Sequence, residues 1–343
     1  MPHYNLAMLG FGNVGQAFAR LLLRKREELR AFYDLTFTIS GIATGSHGAA
    51  VDPNGIELES LLLETKGDSW RLDQFSIQPA PVDAFDFIRR CGADVLFENT
   101  PVNYESGQPA VDHLKAALGL GMHAITANKG PVVHAFQELT ALAAARGVKF
   151  YFESAVMDGA PIFSLFREAL PAASLRAFRG VLNSTTNLIL TRMESGESFD
   201  AAVAYAQKIG VAETDPSGDV DGWDAAVKVS ALVSVLMGVP LKPGAVERRG
   251  IRSITPVEVQ RARQEGKRWK LVCAAVRDGS SVQAQVAPEM VGPDSPLFHV
   301  DGTTSIVQFE TDVLGRLSVI EEDPGPDTTA YGLLADFINA VRG

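Results

Sequence analysis

Within the first fifteen residues the chain reads NLAMLGFGNVG, an apolar extended run that breaks at Gly10 and continues with Gly12 and Gly15. This G-x-G-x-x-G spacing is informative only when a strand precedes it and a helix follows, and both flanks have the required pattern. Gly10 then allows a tight turn, Gly12 a close approach of pyrophosphate to backbone, and Gly15 the packing of helix on strand. Free N–H groups at the helix start would face the anion. The loop Gly10, Phe11, Gly12, Asn13, Val14 and Gly15 is therefore a candidate dinucleotide site; an ordinary strand-to-helix turn is the alternative.

The run that follows supports the first reading. Apolar extended segments NLAMLGF, LTFTISGIA, DVLFENT, HAITAN and KFYFESA alternate with helical patterns at about 14–32, 83–91, 107–121 and 134–147. That alternation predicts an α/β fold, a doubly wound parallel sheet over residues 1–150. From residue 151 the pattern changes. Helical stretches near 161–170, 198–209, 223–238 and 256–265 mix with LRAFRGVLNS, KLVCAAVRDG, SVQAQVAPEM, TSIVQFETD and GRLSVIEE. The last of these alternate as antiparallel strands with one solvated face do. A second, α+β domain over 151–317 is expected, with the amphipathic end of the chain, about 318–343, returning to the first.

At 343 residues, 46% hydrophobic and 21% charged, the chain suits two soluble domains. Its apolar runs fall well short of the roughly 20 residues that span a bilayer, and the N-terminus lacks an export signal, so no membrane association and a cytoplasmic location are expected. A net charge of -10 without a basic stripe disfavours nucleic acid. Cys91 and Cys273 form neither a disulfide framework nor a metal-ligand pattern.

Two further stretches carry chemistry. TANKG, residues 126–130, follows the strand HAITA and puts Lys129, read here as a loop residue, at the carboxyl edge of the sheet, where such folds bind ligands. DPSGDVDGWDAAVKVSALVSVLMGV, residues 215–239, sets Lys228 in a helix otherwise apolar after Asp224. Burying a lysine costs several kcal/mol unless it is paired, so Lys228 needs Asp224, a ligand, or both. The four aspartates do not fit a calcium loop, because glycine follows Asp221 too early and no closing glutamate is present. Asp221 is expected as the helix N-cap, leaving Glu213, Asp215 and Asp219 in the preceding loop. Acids beside lysines suit a substrate with an ammonium at one end and a reducible oxygen at the other. After the second strand, GIATGSHG offers neither the acid that accepts from a ribose 2′-hydroxyl nor the arginine that pairs with a 2′-phosphate. Thr44, Ser46 and His47 could hold a phosphate there, or form a plain glycine turn.

GFGNVG, TANKG, ESAVMDGAPI, GVLNSTTNLIL and AETDPSGDVDGWDAAVKV, in this order over nearly the whole chain, resemble the homoserine dehydrogenase family. The resemblance implies a Rossmann-type first domain and NAD(P)-dependent interconversion of L-homoserine and L-aspartate 4-semialdehyde, in threonine, methionine and isoleucine biosynthesis. It implies Lys129 and Lys228 as the catalytic pair, and Glu213, Asp219, Asp224, Thr185 and Ser184 at the substrate. The cofactor set expected from the loop and the resemblance together is residues 10–15 with Thr44, Ser46, Thr100, Pro101, Lys129 and Gly325. A monovalent cation, sodium or potassium, on backbone oxygens of Glu153, Val156, Asp158 and Ala160 is also implied, as is a homodimer formed through the second domain. By resemblance the chain is the short form, without threonine feedback through a separate domain.

There are three departures from the family pattern. Ser184 stands where glycine is usual, Asp323 and Pro324 replace the first residues of a G-A-G segment, and Gly45 occupies the place of a frequent arginine. The first motivates an alternative, a related oxidoreductase acting on another hydroxy or oxo acid. A cofactor-binding regulator without turnover is a third reading.

Overall fold

The computed structural model describes residues 1–67 and 69–342, which divide into two compact units, Met1–Pro161 with Gly325–Gly343, and Ile162–Pro324. No helix among the described residues is long and apolar enough to cross a membrane.

In the first unit, β1 (His3–Leu9), β2 (Thr36–Ala43), β3 (Ala49–Val51), β4 (Val95–Glu98), β5 (His123–Thr126) and β6 (Phe150–Tyr151) form one sheet in the order β3-β2-β1-β4-β5-β6. All neighbours are parallel except β2 and β3. The central strands read as unbroken apolar runs because both faces are covered: Leu6, Ala7 and Met8 of β1 and Val95, Leu96 and Phe97 of β4 are fully buried. On one side, α1 (Asn13–Tyr33) lays Phe18, Leu21, Leu22 and Leu29 on the core, with the Phe18 ring 4.5 Å from that of Phe97. The helices α2 (Leu58–Glu64), α3 (Ala84–Arg90), α4 (Ala110–Gly119) and α5 (Lys129–Arg146) complete the windings. Chain order reverses between β1 and β4, so the crevice for a ligand opens at their carboxyl ends.

The second unit is a sheet in the order β12-β11-β7-β9-β10-β8, made of β7 (Leu175–Val181), β8 (Glu247–Arg248), β9 (Arg268–Asp278), β10 (Ser281–Val291), β11 (Ser305–Thr311) and β12 (Arg316–Glu321). It is antiparallel apart from the β8–β10 pair. Its helices are α6 (Ser184–Glu194), α7 (Phe199–Lys208), α8 (Ser217–Val220), α9 (Trp223–Leu236) and α10 (Pro256–Gln264), of which α6, α9 and α10 lie against β9.

Several boundaries differ from the sequence reading. β12 pairs with β11, so the return of the chain begins at Gly325 and not at 318; α11 (Pro326–Arg342) then buries Leu333, Leu334, Phe337 and Ala340 in the core of the first unit. The first unit likewise extends beyond residue 150 to Pro161. α6 was not expected, and the stretch near 161–170 is a π-turn over Leu165–Ala169. Lys129 is not in a loop but is the first residue of α5: the Asn128 carboxamide caps the helix by accepting from the Gly130 N–H at 2.9 Å, and Pro131 sits in its first turn. The register is irregular at Ala135, where non-helical backbone breaks α5 into two pieces.

Lys270 of β9 is fully buried. Its ammonium donates to Asn187 Oδ1 at 2.8 Å and to the Val300 carbonyl, clamping α6 to the segment before β11. Burial, and then the neighbouring charge of Arg268, push Lys270 down from 10.5 to about 8. Between those values the unfolded chain holds a proton that the folded chain has released, so this residue's contribution to stability rises with pH across that window. The melting temperature of the protein relative to its Lys270→Met variant is therefore expected to rise from pH 7 to pH 10. A difference that is flat or falls with pH would show that Lys270 keeps its proton.

Candidate active site

In the first unit the strand-to-helix turns gather at the β1/β4 crevice. Gly10 has a φ of 100°, and a Cβ on it would collide with the Asn99 carbonyl; one on Gly15 would lie 2.8 Å from the Gly10 carbonyl. Both glycines are thus required by the protein itself. A Cβ on Gly12 would meet nothing, so packing within the chain does not itself require glycine there. Beside this turn the Asn99 carboxamide has both polar atoms buried and without a hydrogen-bond partner. An open cradle at a helix N-terminus, next to an orphaned carboxamide, fits a dinucleotide. The Phe11 side chain is only 2% exposed, so its contribution there is limited to backbone.

Glu98, at the end of β4, is completely buried. Its carboxylate accepts from the Thr100 hydroxyl, from the Thr100 N–H at 3.3 Å and from the Thr126 hydroxyl at 3.2 Å, with His113 Nδ1 at 3.7 Å. Thr126 Oγ1 in turn accepts from the Asn128 N–H at 3.0 Å, and Asn128 Nδ2 donates to the Thr100 carbonyl at 3.1 Å. This network joins the ends of β4 and β5 and sets the start of α5, and so the backbone of the half-buried Lys129. The hydroxyl of Thr100 is consumed by Glu98, while Pro101 is exposed. Of the residues after β2, Thr44 Oγ1 accepts from the His47 N–H at 2.8 Å, and Ser46 Oγ lies 2.8 Å from His47 Nδ1.

The expected cation segment runs through a 3₁₀ turn at Glu153–Ala155 and then through Met157 and Asp158, both non-glycine residues in the left-handed region at φ 54° and 43°. Gly159 is packed so closely on Thr328 of α11 that a Cβ would strike its carbonyl. Ala160 N–H closes the turn on the Met157 carbonyl at 2.8 Å. Among the described residues no three His, Cys, Asp or Glu side chains converge as metal ligands, so an ion here would depend on main-chain oxygens. Gly325 opens the return, its N–H donated to Thr328 Oγ1 at 2.9 Å.

In the second unit the opening turn of α9 meets the junction of β7 and α6. Lys228 Nζ lies 3.2 Å from Asp224 Oδ2 and donates to the Leu182 carbonyl at 2.6 Å. The side chains of Lys228 and Asp224 are 15% and 11% exposed, so this is a sheltered pair that keeps an opening to solvent. Asn183 ties the group together. Its Oδ1 caps α6 by accepting from the Thr186 N–H at 2.8 Å, and its Nδ2 reaches Asp219 at 2.6 Å and Asp224 at 3.1 Å. Burial first, and then the charge of Asp224, hold the Asp219 carboxyl above the usual aspartate range; hydrogen bonds from Asn183 and Thr185 pull the other way. Thr185 is buried and also donates to the Val211 carbonyl at 3.2 Å. The Ser184 hydroxyl lies 3.4 Å from that of Ser305 on β11. Beneath the group, burial pushes the Cys273 thiol up to about 12, which keeps it protonated and inert.

The structure thus gathers Asp219, Asp224, Lys228 and Thr185. Glu213 is exposed on the preceding loop, and Asp215, also exposed, spends one carboxylate oxygen on the Ser217 N–H at 3.0 Å. Asp221 is not the N-cap of α9: Gly222, at φ 80°, holds that position, and the Asp221 carboxylate is turned to Arg252. Asn183, Asn128 and Glu98 were missed. An asparagine directly between an apolar strand and a run able to form a helix was the available signal for Asn183.

Two family models match the chain: that for homoserine dehydrogenase over residues 161–338, and that for its NAD binding domain over residues 10–153. Among curated proteins, the NAD(+)-dependent homoserine dehydrogenase of Pseudomonas canavaninivorans is 36% identical over 99% of this chain and 96% of its own length. The homoserine dehydrogenase of Methanocaldococcus jannaschii is 35% identical over 98% of each chain. Among solved structures, a hyperthermophilic archaeal homoserine dehydrogenase in complex with NADPH superposes with a TM-score of 0.83 at 27% identity, covering 99% of this chain and 98% of that one.

Because Asn183 is the donor shared by Asp219 and Asp224, Asn183→Ala should weaken binding of an ammonium-bearing substrate by about 10- to 100-fold, the range for a hydrogen bond to a charged group. It should also move the pH dependence of KM upward, since Asp219 loses a contact that lowers its pKa. KM measured between pH 5 and 9 checks both. An unchanged profile with a raised KM would leave Asn183 a purely steric role.

Proposed function

The chain belongs to the homoserine dehydrogenase family, NAD(P)-dependent oxidoreductases acting on a CH–OH group, and from that premise we propose how its residues divide the work. The observation that carries the reading is the sheltered group of two aspartates and one lysine bound by Asn183, whose excess negative charge suits the ammonium of homoserine. Asp219 and Asp224 hold that ammonium, with Thr185 and the Ser184 backbone beside them and Glu213 closing from its exposed loop. Bound NAD(P) supplies the hydride acceptor. Residues 10–15, Asn99, Thr44, Ser46, Thr100, Pro101 and Gly325 bind and orient it. As homoserine is oxidised, the carbon gives up a hydride and the hydroxyl a proton, leaving the aldehyde of aspartate 4-semialdehyde. Lys228 and Lys129 are the pair that takes this proton, and that returns it to the oxygen in reduction.

The reading includes a monovalent cation at residues 153–160, supported by the strained pair Met157 and Asp158. It also includes cytoplasmic residence and a homodimer through the second unit, whose edge strand β12 leaves Ile320 exposed.

The deciding assay follows reduced cofactor formed from homoserine with NAD or NADP. Turnover with either is expected, with a preference below about 100-fold because no acid or arginine directly follows β2; binding of cofactor without turnover would favour a regulator. Lys228→Ala and Lys129→Ala should each lower turnover by at least about 100-fold, the scale of general acid-base catalysis. The double variant should lose far less than the product of the single losses. If Lys228 served only to neutralise Asp224, its removal would lower the melting temperature while the folded fraction kept its turnover.

A further inference from the structure

Resting on the reading of the first unit as an NAD(P) domain, the ribose end of the cofactor can be taken further. The loop Thr44–Gly48 that leaves β2 is bolted to a segment arriving from beyond α2. Leu72 N–H donates to the His47 carbonyl at 2.9 Å. The indole of Trp70 lies flat on the His47 imidazole, with centroids 3.9 Å apart and 7° between planes, and meets the edge of Phe11 in the glycine loop at 6.2 Å. Trp70 thereby links the phosphate-binding turn to the loop after β2, the two elements beside which an adenosine ribose lies in this topology.

The residue after Trp70 is an arginine. Arg71 Nη2 lies 3.3 Å from the point that a Cβ on Gly48 would occupy, so the guanidinium sits beside the loop even though it comes from 23 residues further on. Its partner is Asp73, at 3.3 Å, and the two side chains are 58% and 49% exposed. An ion pair so open to water is weak, and its guanidinium can be exchanged to a stronger acceptor. A phosphate is such an acceptor, able to take two parallel N–H donors where the pair to Asp73 is long and poorly matched.

We propose that Arg71, held in reserve by Asp73, is the residue that discriminates at the ribose 2′ position. A 2′-phosphate draws the guanidinium away from Asp73. A 2′-hydroxyl leaves the pair in place. Asp73 therefore counts against the phosphorylated cofactor twice, by occupying Arg71 and by repelling the incoming dianion, and the short reach of both groups from the loop makes the balance between NAD and NADP sensitive to single substitutions.

Binding of NADH and NADPH to the full chain, followed by energy transfer from tryptophan to the reduced nicotinamide, tests this without turnover. Arg71→Ala should weaken NADPH by about 10- to 100-fold and change NADH by less than about threefold. Arg71→Lys should restore part of the loss, as a point charge without the planar fork does. Asp73→Asn should tighten NADPH by about three- to tenfold and leave NADH nearly unchanged. Equal effects on both cofactors, or no effect of either substitution on their ratio, would overturn the assignment of Arg71 while leaving the cofactor reading intact. Failure of the wild-type protein to bind either cofactor would overturn both. Should Arg71→Ala not fold, Arg71→Gln carries the test in its place: a selective loss of NADPH affinity supports the assignment and equal effects on both cofactors overturn it, because Asp73→Asn alone would favour NADPH through lost repulsion without any part played by Arg71.

Discussion

The second unit is organised around taking Lys228 out of water. An ammonium on a helix whose neighbours are Val227, Val229, Leu232 and Val233 is stable only if its charge and its donors are met. Asp224, one turn earlier, meets the charge, and the Leu182 carbonyl meets a donor. That carbonyl is available because β7 ends at Val181 and the chain has left the ladder before α6 begins. The pairing of Lys228 therefore fixes where the strand must stop. Asn183, the next residue, then serves three clients with one carboxamide: the N-terminus of α6, Asp219 and Asp224. Shift any member and the others lose partners in a place largely sheltered from solvent.

The first unit solves an analogous problem with neutral groups. Glu98 is buried at the crevice, where chain order reverses, and its oxygens are met by Thr100 and Thr126. The same Thr126 hydroxyl accepts from Asn128, and Asn128 caps α5. In each unit an asparagine at a strand-to-helix junction passes the position of a buried carboxylate on to the first residues of a helix. Those residues are Lys129 and Gly130 in one and Ser184 and Thr185 in the other. The candidate residues are thus held by the ends of rigid elements rather than by loops of their own, the arrangement that keeps catalytic geometry to within a fraction of an ångström.

The parts legible in the sequence were those that periodicity or spacing encodes. The glycine loop, the parallel strands and the antiparallel hairpins follow from runs whose burial pattern the structure repeats, down to the exposed alternation of β12. α6 escaped because Thr185, Thr186 and Ile189 are β-branched and continue an apolar strand; the local cap from Asn183 and the tertiary contacts of Asn187 support the helix there. Asp221 was assigned the N-cap because aspartate is a good cap; a salt bridge to Arg252, far away in sequence, claimed its carboxylate instead. Lys129 was assigned to a loop although Asn128 and Pro131 are a helix-start signal, because TANKG was read as the loop after the strand HAITA and the helical pattern was placed only from about residue 134. Arg71 could not be read as part of the ribose loop at all. Its place depends on a backbone bond between residues 47 and 72, and no local pattern encodes that.

Lys270 and Lys228, one fully buried and one sheltered, lie in the same unit, and the contrast between them bears on which is the better candidate for chemistry. Lys270 is the more deeply buried, its pKa falls to about 8, and on that perturbation it would be a first candidate for a base. Yet its donors are spent on a carboxamide and a carbonyl, no carboxylate touches it, and it is closed to solvent. A group with no path to a substrate does no chemistry, whatever its proton affinity. Lys228 retains 15% exposure and stands among acids that exceed its own charge, so the site is left with negative charge and an opening. Burial explains why both lysines need partners; only the uncompensated acids beside Lys228 explain why a cationic substrate would be drawn there. Surplus negative charge and access to solvent thus make Lys228, rather than Lys270, the candidate.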